Sequence, residues 1–194
     1  GVLTLYAVWE KDRYTVQFED APSYIPSVTV EYGETVSLPQ PVIPGYTFEG
    51  WYTQQTGGEK WQEGNPVSEA MTLYARFAPI QYQVQFDGNG ADNATAMELS
   101  GMTVSYDEIA NLPQNLYERE YYTFKGWSRQ KQGSLQYLDK GQITSLTQKD
   151  GEIVTLYAVW ERNQVQVTAS ADGKTTQFSM NQGDLLTLAA PVKK

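Results

Sequence analysis

The sequence of 194 residues contains no cysteine and no histidine. These two absences exclude a disulfide framework, a cysteine nucleophile, a Ser-His-Asp triad and a metal site built on imidazole ligands. The missing cysteine does not identify the compartment, because many secreted domains also lack it and only a cysteine-rich chain is informative. Carboxylate pairs remain possible for reaction chemistry, since the chain has 23 aspartates and glutamates.

The sequence also lacks long apolar runs and an excess of positive charge. No segment approaches the roughly 18 consecutive apolar residues of a membrane-spanning helix, so we expect no direct membrane insertion. Lysine and arginine total 14 against 23 aspartates and glutamates, which gives a net charge of −9. A surface that binds nucleic acid needs the opposite sign, so we expect no nucleic-acid partner.

A six-residue motif occurs three times, as TLYAVW at 4–9, TLYARF at 72–77 and TLYAVW at 155–160. A second motif, YTFxGW, precedes the last two copies, at 46–51 and 122–127. Self-similarity at a long period indicates a repeat architecture. Because the two motifs keep the same order, the repeating unit is a whole domain.

The motif spacing predicts the domain organisation. Two complete repeats occupy residues 11–78 and 79–161, the second with insertions. Residues 1–10 are interpreted as the closing strand of a truncated preceding repeat, and residues 162–194 as the first half of a truncated third repeat. The sequence is therefore interpreted as a piece of a longer protein. Because a short connector containing Pro79 joins the complete repeats, we expect two independent domains arranged end to end.

The recurring motif is typical of a strand with one buried face, since successive side chains of a strand point to opposite sides. In the middle copy Arg76 stands where the other copies have valine. The opposite side of that copy remains apolar, with Leu73, Ala75 and Phe77. Arginine is rarely buried without a partner, so the side that carries leucine, alanine and the aromatic residue faces the core.

Alternating apolar and polar residues predict that each repeat is mostly β. Short helical segments are expected between the strands. In the first repeat Pro39, Pro41 and Pro44 exclude a central strand. Gly50 predicts a β-bulge that allows the aromatic residues on either side of it to reach the core. Residues 113–120 lack the extra prolines of the first repeat and are predicted to form two turns of helix.

The best candidate metal site is residues 87–92 together with Glu98, which begins like a calcium-binding loop. The pattern fails at Ala91 and Asp92, because the fifth position of such a loop needs an oxygen ligand and the sixth needs glycine. We therefore interpret Gly88-Asn89-Gly90 as hairpin turn chemistry and expect neither a metal nor a cofactor. The remaining carboxylates are dispersed along connectors and exposed strand positions, which predicts a protein that is not an enzyme.

Aromatic residues are abundant, at 13% of the chain. Three tyrosines occupy the outer side of the recurring strand: Tyr6, Tyr74 and Tyr157. They form either an aromatic platform for a glycan or peptide, or, as we favour, contacts with a covering loop or a neighbouring repeat. Three tryptophans are interpreted as core residues: Trp51, Trp61 and Trp127.

The motif GYTFxGW at 45–51, followed by TLYA at 72–75, resembles the Listeria-Bacteroides repeat, the module of the B-repeat region of internalin B. The resemblance implies a small β-grasp-like domain, with the first and last strands adjacent and parallel and a short helical segment over one sheet face. The second repeat departs from the family pattern at Tyr121, where the family favours glycine, and in its two insertions.

The same resemblance implies tandem copies in secreted or wall-attached proteins of the bacterial cell surface, and it carries no catalytic residue. Two functions follow. The favoured one is a structural spacer module that extends a distal part of the protein from the cell. The alternative is an adhesin module that binds a host protein or glycan through several weak sites.

The two interpreted truncations also predict self-association. The segment 3–9 is interpreted as a closing strand that lacks the rest of its repeat. Residues 165–188 are interpreted as an opening hairpin that lacks its closing strand. An unpaired apolar strand edge recruits a partner, so we expect the closing strand of one molecule to complete the half repeat of a neighbour, head to tail. Its core side carries Leu3, Leu5, Ala7 and Trp9. Alternatively, each half packs on its adjacent complete domain.

Overall fold

The computed structural model describes residues 1–93, 101–171 and 173–187. Within these ranges the chain consists of strands, turns and loops, and it contains no helix. The strands are β1 (Arg13–Glu19), β2 (Val28–Glu31), β3 (Tyr46–Tyr52), β4 (Met71–Pro79), β5 (Gln81–Asp87), β6 (Met102–Ser105), β7 (Ala110–Asn111), β8 (Tyr122–Ser128), β9 (Gln142–Ile143), β10 (Ile153–Arg162), β11 (Gln164–Ala171) and β12 (Lys174–Asn181). The prediction of a mostly β chain is confirmed, and the prediction of short helical segments is wrong.

The chain divides into two compact units. The first comprises Gly1–Ile80 and Gln148–Asp150, and the second comprises Gln81–Thr147 and Gly151–Lys194. Each unit contains one four-stranded sheet. The second unit also contains two small two-stranded sheets, one formed by β7 with β9 and one by β11 with β12.

The first sheet has the strand order β2-β1-β4-β3. Strand β1 pairs antiparallel with β2 and parallel with β4, which places Phe18 opposite Leu73. Strand β3 completes the sheet by pairing antiparallel with β4. The first and last strands of the repeat are therefore adjacent and parallel, as the family resemblance implied.

The sheet of the second unit has the same topology, with the order β6-β5-β10-β8. Strand β10 pairs parallel with β5, so that Leu156 lies opposite Phe86, and antiparallel with β8. The two insertions leave this order unchanged. The segment that leads to β10 supplies β9, which pairs with β7.

The core face of the recurring strand is the predicted one. Leu73 and Leu156 are both fully buried, and Ala75 is buried beside Leu73. Arg76 lies on the opposite side, where its guanidinium carbon is 3.9 Å from the centre of the Tyr52 ring. The guanidinium group also donates a hydrogen bond to the carbonyl oxygen of Gln54 at 2.9 Å. The arginine is thus half-exposed and paired, and the leucine and alanine side forms the core.

Each repeat contains the bulge that the Gly-Trp pair predicted. In the first sheet Phe48 pairs with Phe77 and Gly50 pairs with Arg76, so Glu49 has no partner in the register. The second sheet has the same irregularity, where Gly126 adopts φ +141°. Because Glu49 is an extra residue in the strand, Trp51 faces the core although it lies three positions after Phe48. As a result Phe48 packs edge-on against Trp51 at 5.7 Å between ring centroids.

The predicted helix at residues 113–120 is wrong, because local side chains take the backbone groups that a helix would use. The backbone N–H of Tyr117 donates to Oδ1 of Asn115 at 3.0 Å, and Nδ2 of Asn115 donates to the carbonyl oxygen of Tyr117 at 3.0 Å. Asparagine commonly competes with helix formation in this way. The backbone N–H of Glu118 donates to Oδ1 of Asn93 at 2.6 Å, which fixes the irregular path further.

Tyr121 has nearly the same backbone conformation as Gly45, the glycine at the equivalent position of the first repeat. Its φ is +63°, and φ of the equivalent Gly45 is +83°. The carbonyl oxygen of Tyr121 accepts a hydrogen bond from Asn163 N at 2.8 Å, as that of Gly45 does from Ile80 N at 3.0 Å. A left-handed conformation costs a residue with a side chain about 1–2 kcal/mol. The departure from the family pattern therefore leaves the local fold intact at an energetic cost.

Candidate functional site

Both repeats carry a shallow depression where the first strand ends. The first depression is lined by Phe18, Asp20, Tyr24 and Ile25, among others. The second depression is lined by Phe86, Asp87, Asn89, Tyr117 and Tyr157, among others. The sequences QFE at 17–19 and QFD at 85–87 occupy equivalent positions in the two repeats, so the depressions recur with the fold.

An aromatic pair of the core underlies each depression. Phe18 packs against Trp51 with ring centroids 4.8 Å apart, and Phe86 packs against Trp127 at the same distance. Both tryptophans are fully buried, which confirms their prediction as core residues. The floor of each depression is therefore formed by an aromatic pair that packs on the core of its repeat.

The rim of the first depression is polar and exposed. The side chain of Tyr24 is 89% exposed. Asp20 adopts φ +61°, and its Oδ1 accepts a hydrogen bond from Nε2 of Gln55 at 3.5 Å. Glu19 lies beside it on the same rim. This arrangement offers an aromatic ring and two carboxylates to a polar ligand such as a sugar hydroxyl or an amide.

Asp87, Asn89 and Tyr117, which line the second depression, form hydrogen bonds within the protein. Oδ1 of Asp87 accepts a hydrogen bond from Asn89 N at 2.7 Å. Nδ2 of Asn89 donates to the carbonyl oxygens of Ala158 at 2.9 Å and Lys131 at 2.8 Å. The hydroxyl group of Tyr117 donates to the carbonyl oxygen of Phe86 at 3.0 Å. These bonds connect the end of β5 to the closing strand and to the loops around it.

Asp87 is the first residue of the candidate calcium-loop pattern. Its carboxylate accepts a hydrogen bond within the turn that follows β5. The described residues contain no group of three or more acidic side chains that could hold a metal ion. Glu98, the remaining member of the calcium-loop pattern, lies outside the described residues.

The three outer-face tyrosines have different surroundings. Tyr74 and Tyr157 are half-buried in separate sheets, and across the parallel strand pair they lie opposite Glu19 and Asp87. Tyr157 lines the second depression. Tyr6 is 86% exposed and belongs to no strand. The described structure therefore places no two of these rings on one sheet.

Trp61 lies at the margin of the first core and is only half-buried. Its backbone N–H donates to the carbonyl oxygen of Trp51 at 2.8 Å. The indole N–H of Trp51 donates to the carbonyl oxygen of Pro39 at 2.8 Å. Within the part of the chain that the structure describes, the buried indole N–H of Trp127 has no such partner.

The surroundings of Tyr82 and Tyr121 raise the pKa of each phenol. Burial raises the pKa of Tyr82, although the hydrogen bond that its hydroxyl oxygen accepts from Leu146 N opposes the shift. A hydrogen bond with Glu120 raises the pKa of Tyr121. Neither tyrosine lines a depression, so both shifts reflect packing and neighbouring charge away from the candidate sites.

Sequence reasoning missed the role of Asn89 and Tyr117 at the second depression. The Asn-Gly pair was a signal for a tight turn, and Asn89 does adopt φ +47°. Its side-chain bonds to Ala158 and Lys131 bridge distant segments, which no local pattern records.

No helix in the described ranges has the length and apolarity needed to cross a lipid bilayer.

Two sheets of identical topology, each closed by the same six-residue motif, define a tandem-repeat β protein. The family model of the Listeria-Bacteroides repeat domain matches residues 14–76 and 82–159. The chain therefore belongs to the Listeria-Bacteroides repeat family.

Curated relatives extend this comparison. The chain is 35% identical over 170 residues to a protein of Evansella cellulosilytica named "Putative membrane protein", with 86% of this chain and 25% of the relative covered. It is 32% identical over 176 residues to Internalin H of Listeria monocytogenes, with 89% of this chain and 29% of the relative covered. The chain thus spans less than a third of the length of either relative.

Proposed function

We propose that the chain is a non-catalytic structural module that acts as a spacer in a protein of the bacterial cell surface. The observation that supports this proposal most strongly is that the residues common to both repeats either pack in the core or adopt a backbone conformation that the fold requires. Leu73 and Leu156 fill the two cores, and Gly50 and Gly126 form the two bulges. Residues of this kind are needed to maintain the fold, and none of them supplies a reactive group. A series of folded domains is suited to holding a distal segment away from its anchor.

The location of the chain is part of this proposal. One relative is named as a membrane protein and another as an internalin, which supports a place in the cell envelope. We propose an extracellular position, in a surface protein or a wall-attached protein. We also propose that residues 14–77 and 82–160 fold as independent β-grasp-like domains, with no metal or cofactor.

A replacement experiment tests the spacer role. In the native cell, the chain is exchanged for an unrelated folded module of equal length, and in a second strain for a short flexible linker. Exposure of a distal epitope is then measured with an antibody on intact cells. The spacer role predicts full exposure with the unrelated module and reduced exposure with the short linker. Loss of the whole protein's surface function with the equally long module would contradict it.

The alternative function is an adhesin that binds a host protein or glycan, and the recurring depressions favour it. Tyr24 is almost fully exposed, and carboxylates stand beside the aromatic floor in both repeats. Weak sites on successive repeats would add through multivalency. The test is a screen of glycans and extracellular-matrix proteins with the chain that carries both repeats. An adhesin predicts binding that the double variant Tyr24→Ala with Tyr157→Ala reduces, and unchanged binding with Tyr32→Ala, whose exposed ring lines neither depression.

A further inference from the structure

Asn89 and Gly90 form the one Asn-Gly pair of the sequence. The carboxamide carbon of an asparagine can be attacked by the backbone nitrogen of the next residue, and this makes asparagine a chemically labile residue. Glycine favours the attack, because it has no side chain to shield that nitrogen and its backbone moves freely. The pair is therefore a candidate site of spontaneous modification, which neither the spacer role nor the adhesin role requires.

The pair lies at the centre of a tight turn after β5. Asn89 has φ +47° and Gly90 has φ +89°. Ala91 N closes the turn by donating a hydrogen bond to the carbonyl oxygen of Gly88 at 3.1 Å. Positive φ at both central residues is the mark of a type I′ turn, for which Asn-Gly is a preferred sequence. The bond from Asn89 N to Oδ1 of Asp87 at 2.7 Å holds the same conformation.

The side chain of Asn89 is held as firmly as its backbone. Its Nδ2 donates to the carbonyl oxygens of Ala158 at 2.9 Å and Lys131 at 2.8 Å. A carboxamide nitrogen carries two hydrogens, so both are used. Attack by the nitrogen of Gly90 requires the carboxamide carbon to turn toward it in a reactive geometry, and Nδ2 must then depart. Both bonds of Nδ2 have to break for this to happen, so the folded repeat opposes the reaction.

The closing strand β10 holds the turn at a second point. The indole N–H of Trp160 donates to the carbonyl oxygen of Gly88 at 2.8 Å. The first repeat has Phe77 at the position equivalent to Trp160, and it has Ala-Pro at 21–22 where the second repeat has the Asn-Gly pair. The labile pair and the tryptophan that holds its turn therefore belong to the second repeat and not to the first.

We propose that Asn89 is a deamidation site that the folded second repeat protects, and that its conversion detaches the turn from the closing strand. The backbone nitrogen of Gly90 forms a bond to Cγ of Asn89, the Cγ–Nδ2 bond breaks, and Nδ2 leaves as ammonia with the proton of the Gly90 N–H. Water then adds to either carbonyl carbon of the succinimide ring and breaks its bond to the ring nitrogen, which gives aspartate or isoaspartate. Water is the co-reactant, and nothing is oxidised or reduced.

The product cannot rebuild the bonds that Asn89 makes. An ionised carboxylate only accepts hydrogen bonds, so it would face the carbonyl oxygens of Ala158 and Lys131 without a hydrogen to donate. Its charge would also stand close to the carboxylate of Asp87, and like charges repel. Isoaspartate lengthens the backbone of the turn as well. Because Asn89 lines the second depression, the conversion also alters that surface. This modification goes beyond the proposed spacer role.

The first test measures the site and its protection. The wild-type chain is kept at mildly alkaline pH, folded in buffer or unfolded in urea, and conversion is followed by mass spectrometry of its peptides. In urea Asn89 is expected to convert faster than Asn163 and Asn181, which are each followed by glutamine. In the folded chain its conversion should be about tenfold slower or more, because it requires local opening. Equal rates in buffer and urea, or faster conversion of another asparagine in urea, would overturn the proposal.

The second test loosens the turn without changing the labile pair. Trp160→Phe removes the bond to Gly88 and reproduces the residue that the first repeat has at Phe77. Trp51→Phe is the matched control, because it removes an indole bond in the first repeat, to the carbonyl oxygen of Pro39. With circular dichroism showing that both are folded, Trp160→Phe is expected to raise the conversion rate of Asn89 several-fold and Trp51→Phe to leave it unchanged. Equal rates in the two variants would contradict protection by the closing strand.

The third test examines the consequence of conversion. Asn89→Asp supplies one of the two products directly, and Gln83→Glu adds the same charge at an exposed position of β5. Hydrogen exchange resolved by peptide is expected to show the turn amides at 88–91 exchanging about tenfold faster or more in Asn89→Asp. Gln83→Glu should leave these amides unchanged, and neither variant should affect the first repeat. Unchanged exchange in Asn89→Asp, or equal changes in both variants, would show that the bonds of Asn89 do not hold the turn and would overturn the proposal.

Discussion

Phe86 packs against Trp127 with 4.8 Å between their ring centroids. Phe18 and Trp51 keep the same separation in the first repeat, although the second repeat contains two insertions. In both repeats the phenylalanine comes from the first strand, and the tryptophan follows the glycine of the bulge. The aromatic pair and the bulge therefore form one structural unit.

The two buried tryptophans should respond differently to replacement by phenylalanine. Trp51→Phe removes the hydrogen bond from the indole to the carbonyl oxygen of Pro39, while Trp127→Phe removes a buried N–H that has no partner among the described residues. Both substitutions lose similar packing volume. We expect Trp51→Phe to lower the free energy of unfolding of its repeat by about 1 kcal/mol more than Trp127→Phe does. Hydrogen exchange resolved by peptide measures each repeat separately, and the reverse order would contradict this account.

Gly126→Ala should strongly destabilise the second repeat. Its φ of +141° disfavours a side chain, and an added methyl group would overlap the carbonyl oxygen of Tyr137. We expect a loss of about 2–4 kcal/mol. Gly151→Ala is the control, since Gly151 has positive φ with no atom near the added methyl group, and we expect a loss of about 1 kcal/mol. Chemical denaturation measures both values, and equal losses would show that the close approach at Tyr137 is unimportant.

Alkaline pH should reduce the stability of the second repeat through Tyr82. Burial raises its pKa above the ordinary value of 10.0, so the folded chain holds the phenolic proton more tightly than the unfolded chain does. The resulting stabilisation is fully present below pH 10.0 and is lost as the pH rises through the folded-state pKa. Tyr82→Phe should show a shallower loss over this range in denaturation experiments. An identical pH dependence of the two proteins would rule out this role of Tyr82.

Asp87 should act through its turn and not through a metal ion. Asp87→Asn keeps an oxygen that accepts the hydrogen bond from Asn89 N, whereas Asp87→Ala removes it. We expect Asp87→Asn to be nearly neutral and Asp87→Ala to cost about 1 kcal/mol in the free energy of unfolding. Added calcium should leave the Tm of all three proteins unchanged. A rise in Tm with calcium that Asp87→Asn abolishes would show a metal site instead.

The parts of the fold that could be predicted were those where equivalent positions of the repeats can be compared. Arg76 identified the core face of the closing strand. It stands where the other two copies of the motif have valine, so that side of the strand accepts a charged residue and the opposite side faces the core. Gly50 before Trp51 identified the bulge, since two core aromatics three positions apart cannot share a face of a regular strand. The parallel pairing of the first and last strands came from the family resemblance alone.

The errors arose where long-range or side-chain bonds determine the backbone. At residues 113–120 the bonds of Asn115 to Tyr117, and of Glu118 to Asn93, outweigh a helical tendency that composition alone suggests. The depressions were also missed. Their linings combine a strand end with a distant loop, as with Phe86 and Tyr117, and no single stretch of sequence contains both.

The central claim is that the repeats provide length, and repeat number tests it most directly. Strains of the native organism are made with one complete repeat deleted or duplicated within the chain, and the distance of a distal epitope from the cell surface is measured on intact cells. The account predicts a distance that changes by an equal step with each repeat and is unaffected by Tyr24→Ala or Tyr157→Ala. A distance that does not depend on repeat number would contradict it.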